Sequence, residues 1–167
     1  MENTPEVCSN YDVRYVEKTA NAIKNFQKGG NAIFTFPKPP IKCPGAPQKI
    51  AYIAERQLQK VCSIKQRFFK KYIKLTPFQI PVCSQDGKRD GSNIMYFATL
   101  PVIFGVKKYA DALWKVVNER NIQVNLNRNL VEVDGKEAVF ENLEDPSAPH
   151  QVKNTQRLYP ALLDFCL

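Results

Sequence analysis

An α/β fold built around a parallel sheet is what the hydrophobic pattern of this chain predicts, on three observations. The apolar period switches several times between the roughly 3.6 residues of a helix and the 2 of a strand. Two short runs, residues 32–36 and 93–99, are rich in apolar and aromatic residues throughout, as strands covered on both faces are. Asp134-Gly135, set between two apolar runs, is the strongest short hairpin signal in the chain.

The elements follow in order. Val16, Ala20, Ile23 and Phe26 share one face of a first helix, which the Gly29-Gly30 pair stops. Ala32, Ile33, Phe34, Thr35 and Phe36 form a buried strand that ends at Pro37. A turn carrying Pro37, Pro39 and Pro40 leads to Cys43, and Pro44, Gly45, Ala46 and Pro47 open a helix expected over 46–59. Residues 93–99 make a second buried strand. Val106, Tyr109, Ala110, Leu113 and Val117 define the apolar face of the next helix, with Lys107, Lys108, Asp111, Lys115 and Glu119 outside. Ile122, Val124 and Leu126 alternate with polar residues as a half-buried strand, and the hairpin joins 130–133 to 138–140.

This order, β-α-β-α-β and then a hairpin, is that of one mononucleotide-binding half of a Rossmann-like domain. The expectation is a Rossmann-like parallel sheet with helices on both faces plus a β-hairpin, present as a partial domain. Phosphate binding does not follow from it. The seven glycines (29, 30, 45, 87, 91, 105 and 135) never form GxGxxG or a Walker loop. The dinucleotide fingerprint's place is taken by the proline-cysteine loop, so fold and cofactor need separate arguments.

Composition narrows the class. The 167 residues, 44% hydrophobic and 24% charged, suffice for one core. No apolar run approaches the roughly 18 residues that span a bilayer. The opening MENTPEVCSN is acidic and polar, and reads as neither a signal nor a transit peptide. Cys8, Cys43, Cys62, Cys83 and Cys166 are scattered, without a CxxC pair, which argues against a disulfide scaffold and against a zinc site. His150, the sole histidine, lies in a proline-containing stretch and is expected to be solvated, so no histidine-based triad or metal cluster is expected.

Cys43 is the candidate for chemistry. Strand, tight loop and helix start is where α/β proteins place reactive groups, because free backbone N–H groups and the helix dipole point at the loop. That setting favours a thiolate, the nucleophilic form of the residue. The competing reading is a small buried hydrophobe, the commonest fate of a free cysteine. Prolines on both sides oppose a place inside a strand or helix. Lys42, Gln48 and Lys49 are close enough in sequence to tune such a site, though surface solvation is their more ordinary role.

The net charge of +8 invites a nucleic-acid or membrane reading, so its location matters. Residues 61–85 hold five basic residues (Lys65, Arg67, Lys70, Lys71 and Lys74) and no acid; the remainder has 19 basic against 16 acidic residues, a net of +3. Ile64, Phe68 and Tyr72, with Phe69 and Ile73 beside them, give the stripe of a short basic amphipathic helix across 64–75. A membrane-surface or partner-binding module is one reading. Nucleic-acid binding is not expected, because one short charge cluster lacks a recognised fold around it. An insertion foreign to the surrounding fold is the reading preferred here.

GGNAIFTFPKPPIKCPGAPQKI, FGVKKYADAL and KEAVFENL resemble the central part of the animal sulfide:quinone oxidoreductases, mitochondrial flavoproteins of the disulfide-oxidoreductase superfamily. The resemblance covers most of residues 10–60 and 86–152. It implies an NAD(P)/FAD-binding-type fold in which residues 1–30 are the linker and helix leaving a preceding FAD domain. Residues 31–145 would be the second, nicotinamide-domain-like module, which in the family binds no nicotinamide. Residues 61–85 interrupt that module, and 146–167 form a tail that departs from the family. Lys60 would join Asp86 without a gap if 61–85 were lifted out. Valine codons begin with GT and glutamine can be CAG, so Val61 to Gln85 has the ends of an intron read in frame. We hypothesise a retained intron or a gene-model error, an idea that genomic sequence lacking GT and AG at those codons would remove.

The family's chemistry, by the same resemblance, oxidises hydrogen sulfide to sulfane sulfur with two redox cysteines beside FAD, and passes two electrons to ubiquinone at the mitochondrial inner membrane. Cys43 matches the flavin-facing cysteine, with Pro44 and Gly45 on the flavin-side loop. Pro44 replaces the family's small residue and has no N–H to give the flavin. The second cysteine, the GxGxxG and the quinone-side helices lie outside this chain, and Cys62 and Cys83 are poor substitutes. The isolated chain is therefore expected to lack FAD and activity. The alternative is a non-catalytic truncated product.

Overall fold

The computed structural model describes residues 7–10, 12–41, 43–60, 91–134, 137–154 and 159–162. The basic segment 61–85, with Cys62 and Cys83, lies outside these residues, as do Lys42 and Cys166.

Strand β1 (Val7–Cys8) leads into helix α1 (Val13–Lys24). Asp12 caps that helix through a side-chain oxygen that accepts from the Arg14 N–H at 2.9 Å. The buried stripe is not the one that apolar spacing suggests. Thr19 and Ile23 are buried and Phe26 packs just beyond the helix, whereas Val16 is 43% exposed and Ala20 also faces outward. The Thr19 hydroxyl stands 3.2 Å from the carbonyls of Ser9 and Tyr15. Its polarity is satisfied in place, so a threonine can hold a core position that a purely apolar count passes over. The chain then turns through Gly29 at φ 80°, a left-handed conformation that favours glycine.

Strand β2 (Asn31–Phe36), helix α2 (Ala46–Lys60), strand β3 (Asn93–Ala98), helix α3 (Lys107–Glu119) and strand β4 (Ile122–Asn125) follow. β2 and β3 pair in parallel and in full register from Asn31↔Asn93 to Phe36↔Ala98. The apolar pattern of both strands leaves each of them buried at every position after the first. α3 starts at Lys107, so Val106 and Tyr109, expected on its apolar face, are 51% and 58% exposed. Val117 of that face is buried in the core, and Ala110 and Leu113 pack against it partly buried.

Strands β5 (Arg128–Asp134), β6 (Glu137–Asn142) and β7 (Gln151–Asn154) form an antiparallel sheet, and β8 (Tyr159–Leu162) returns to the parallel one. The expected hairpin is thus β5 and β6. The stretch after residue 146 supplies two further strands. β8 inserts between β1 and β2, parallel to both, giving the order β1-β8-β2-β3-β4.

The α/β class and the parallel sheet match expectation, and the coverage of the sheet's faces differs from it. One core cluster joins Phe34, Phe36, Ile94 and Tyr96 to Ile23 and Phe26, to Ala51, Ala54 and Leu58 of α2, and to Val117 of α3. The opposite face carries Ile33, Met95 and Phe97 under Ala138, Phe140 and Leu130 of the antiparallel sheet. Phe97 and Phe140 stack with ring centroids 3.9 Å apart and planes 15° from parallel. Helices therefore line one face and a sheet the other. Alternating side chains demand apolar cover on both faces of a central strand, but a helix and an amphipathic sheet supply it equally well.

Candidate functional site

Strand order fixes where a site belongs. From β2 the chain crosses through α2 to β3 on one side, while β8 lies on the other side of β2. The carboxyl end of β2 is thus a topological switch point, where open α/β sheets leave a crevice for ligands. Residues 37–45 occupy it, between the end of β2 and the start of α2.

Cys43, Pro44 and Gly45 lie consecutively in this loop. Cys43 and Pro44 are exposed, so the reading of Cys43 as a small buried hydrophobe does not hold. The Ala46 N–H donates to the Cys43 carbonyl at 3.2 Å, and the Lys49 N–H to the Gly45 carbonyl at 3.0 Å, which seats the cysteine directly before the helix. No acidic residue stands in the first turn of α2, so nothing there neutralises the positive end of its dipole. A Cβ placed on Gly45 would have no heavy atom within 4 Å. The space beside Gly45 is therefore open among the described residues.

Three contacts hold the loop. At its start, the Thr99 N–H donates to the Phe36 carbonyl at 3.3 Å and the Thr99 hydroxyl to the Pro37 carbonyl at 2.9 Å. Lys38 reaches the antiparallel sheet, its ammonium 2.6 Å from a Glu141 oxygen. The Lys38 hydrogen bond, then one of 2.8 Å from the Asn129 amide, hold the Glu141 carboxyl below its usual range; the charges of Lys38 and His150 add to this. Past the loop, the Gln48 side-chain amide donates to the Ile103 carbonyl, and the Tyr52 hydroxyl donates to the Gln48 oxygen at 3.3 Å.

Gln48 corrects an expectation. It is 4% exposed and fully engaged rather than solvated, while Lys49 is exposed as expected. Gln48, Ala51, Tyr52, Glu55 and Leu58 fall at helical spacing on one face of α2, a stripe in which a glutamine can be buried only if its amide is bonded. Thr99, Lys38 and Glu141 carried no local signal. Their partners lie far away in sequence.

Cys8, the other cysteine among the described residues, is fully buried at the end of β1. Burial pushes its thiol above the ordinary range, against smaller opposing effects from Lys18 and Thr19. His150 is exposed. No helix among the described residues is long and apolar enough to cross a membrane.

No family model matches the chain. Individual proteins do. Over 150 residues it is 43% identical to the mitochondrial sulfide:quinone oxidoreductase of Mus musculus, an alignment covering 89% of this chain and 28% of the mouse protein. With the mitochondrial sulfide:quinone oxidoreductase of Dictyostelium discoideum it shares 33% identity over 171 residues, covering 93% of this chain and 32% of that one. Among solved structures, the sulfide:quinone oxidoreductase of Aquifex aeolicus superposes with a TM-score of 0.62 at 13% identity, over 97% of this chain and 32% of that one. The superposition supports the fold. The chain thus spans about three tenths of the length of these relatives, and it is homologous to a segment of the sulfide:quinone oxidoreductases.

Proposed function

We propose that this chain, as a segment of a sulfide:quinone oxidoreductase, contributes one redox cysteine, Cys43, to a site completed by parts of such a protein outside it. The observation that carries the reading is the 43% identity to the mouse relative. It gains support from an exposed cysteine at the switch point, ahead of a helix start without acids.

The chemistry begins with a disulfide between Cys43 and a second cysteine supplied by the rest of the protein. Hydrosulfide attacks the sulfur of that second cysteine, so one S–S bond forms as the other breaks. The persulfide stays on the second cysteine and Cys43 leaves as a thiolate. A leaving group of this kind departs faster where its negative charge is stabilised, and the amino end of α2 provides such a place. Once the persulfide's outer sulfur has passed to a nucleophilic acceptor, re-forming the disulfide with Cys43 releases two electrons; FAD, when bound, would supply the acceptor for them, and ubiquinone with two protons would end as the quinol. Cys43, Pro44 and Gly45 fit the approach of a flat ring, because their outer side is exposed and Gly45 leaves room. The same loop lacks the glycine pattern that cradles a dinucleotide's phosphates, so tight cofactor binding belongs to the rest of the protein.

Taken alone, the chain is then a non-catalytic piece, and its purified form is expected to show no flavin absorbance. The decisive experiment exchanges the matching segment of the mouse relative for this chain and follows sulfide-dependent quinone reduction. Activity in the chimera and its loss in the Cys43→Ser version are expected. A Cys43→Ser chimera that works as well as its parent would sink the assignment. The sulfide substrate, the ubiquinone acceptor and a mitochondrial inner-membrane setting belong to this same reading.

A further inference from the structure

We infer that Gln48 is a positioning residue for the cysteine loop: its buried amide ties the first turn of α2 to the loop after β3 and so fixes where Cys43 stands. The inference rests on the proposed redox role of Cys43, which the experiment below tests separately.

The geometry is specific. Gln48 is five residues past Cys43, within the first turn of the helix whose start receives the cysteine's own carbonyl. Its amide donates to the carbonyl of Ile103, a residue that is itself 4% exposed and part of the helix-side core. The Tyr52 hydroxyl, one turn further along α2, bonds the other end of the amide and selects its orientation. Tyr52 is in turn flanked by Arg120, whose guanidinium carbon lies 5.6 Å from the ring centroid. One side chain thus couples the loop's trailing edge to the β3–α3 connection. Thr99, four residues before Ile103, holds the leading edge through Pro37. Both edges of the cysteine loop are therefore tied to one short stretch of chain after β3.

A core contact and a positioning contact can be told apart. A core contact would act on α2 as a whole. A positioning contact acts at its first turn and on the reactivity of the cysteine. Gln48→Met keeps length and burial but removes the donor and the acceptor. Leu58→Val trims a buried residue near the other end of the same helix, 2% exposed, and serves as the stability control.

The experiment uses the full 167-residue chain, with amide hydrogen exchange across α2 and peptide-mapped iodoacetamide labelling of Cys43 over a range of pH. Gln48→Met is expected to speed exchange at residues 45–49 and to change the Cys43 labelling rate at least about threefold, a difference worth about 0.6 kcal/mol or more. Leu58→Val should speed exchange toward the end of the helix and leave the Cys43 profile unchanged. Exchange at 45–49 that is the same in Gln48→Met and the parent chain would overturn the positioning role, and so would an equal effect of both variants on Cys43. Should exchange respond to Gln48 while Cys43 of the parent labels no faster than a free cysteine, the redox reading falls and the clamp stands.

Discussion

Cys8 and Cys43 sit at the two extremes available to a thiol in one small fold. Cys8 ends an edge strand, paired in register with Leu162 of β8 and sealed from solvent. Cys43 stands on a proline-flanked loop where no strand can pair with it. The first region withholds the thiolate by desolvation; the second leaves the residue exposed, directly before a helix whose first turn carries no acid. The contrast teaches that the local backbone, rather than the residue type, decides whether a cysteine is packed away or left open to solvent.

The largest effect should come from labelling the two cysteines side by side. Alkylation mapped by peptide mass should modify Cys43 at least about a thousandfold faster than Cys8, because a buried group reacts only through openings costing several kcal/mol. Comparable rates would erase the distinction. Next comes the floor beneath the loop. Phe140→Ala empties the stack on Phe97 and should cost about 3–5 kcal/mol in urea denaturation. A cost under 1 kcal/mol would mean that the antiparallel sheet does not support the parallel one.

Thr99→Val keeps the shape and removes the hydroxyl donor to Pro37. It should cost about 1–3 kcal/mol and loosen the leading edge of the loop, read as faster proteolysis between residues 37 and 45. Unaltered proteolysis would show that edge to be held by other means. The smallest effect is that of acid. The Glu141 carboxyl is lowered when folded, so its contribution is present above the carboxylate's ordinary pKa of about 4.3 and is lost as pH falls through the lower folded value. Lys38 is half-exposed, so the whole pair is worth at most about 1 kcal/mol. The acid-induced loss of stability should shrink in Glu141→Gln, and an identical acid profile would dismiss the pair.

Much of the fold could be read from the sequence because β2 and β3 are almost continuously apolar and helical spacing marks the segments beside them, though not which faces of α1 and α3 are buried. The cover on the second face could not. Ile33, Met95 and Phe97 announce that they need burying, and nothing local says whether a helix or a sheet will do it. β7 has little apolar signal in the sequence, because Gln151, Lys153 and Asn154 leave Val152 as its one apolar residue. Cys43 was legible because prolines and a glycine mark a loop before a helix. Its clamps were not, since Thr99 meets Pro37 across 62 positions and Lys38 meets Glu141 across 103. Long-range polar pairs leave no periodic trace in a sequence.

At the amino ends of the strands, far from the cysteine, Gln59 near the end of α2 and Gly91 just before β3 line one cleft. The two described ends that flank residues 61–90 therefore lie beside one another. Contour length can change there by dozens of residues while the distance to be bridged stays the same. The sheet's register has no way to sense such a change, so this is the point at which an altered splice junction would pass silently and at which a reporter cassette could be spliced in.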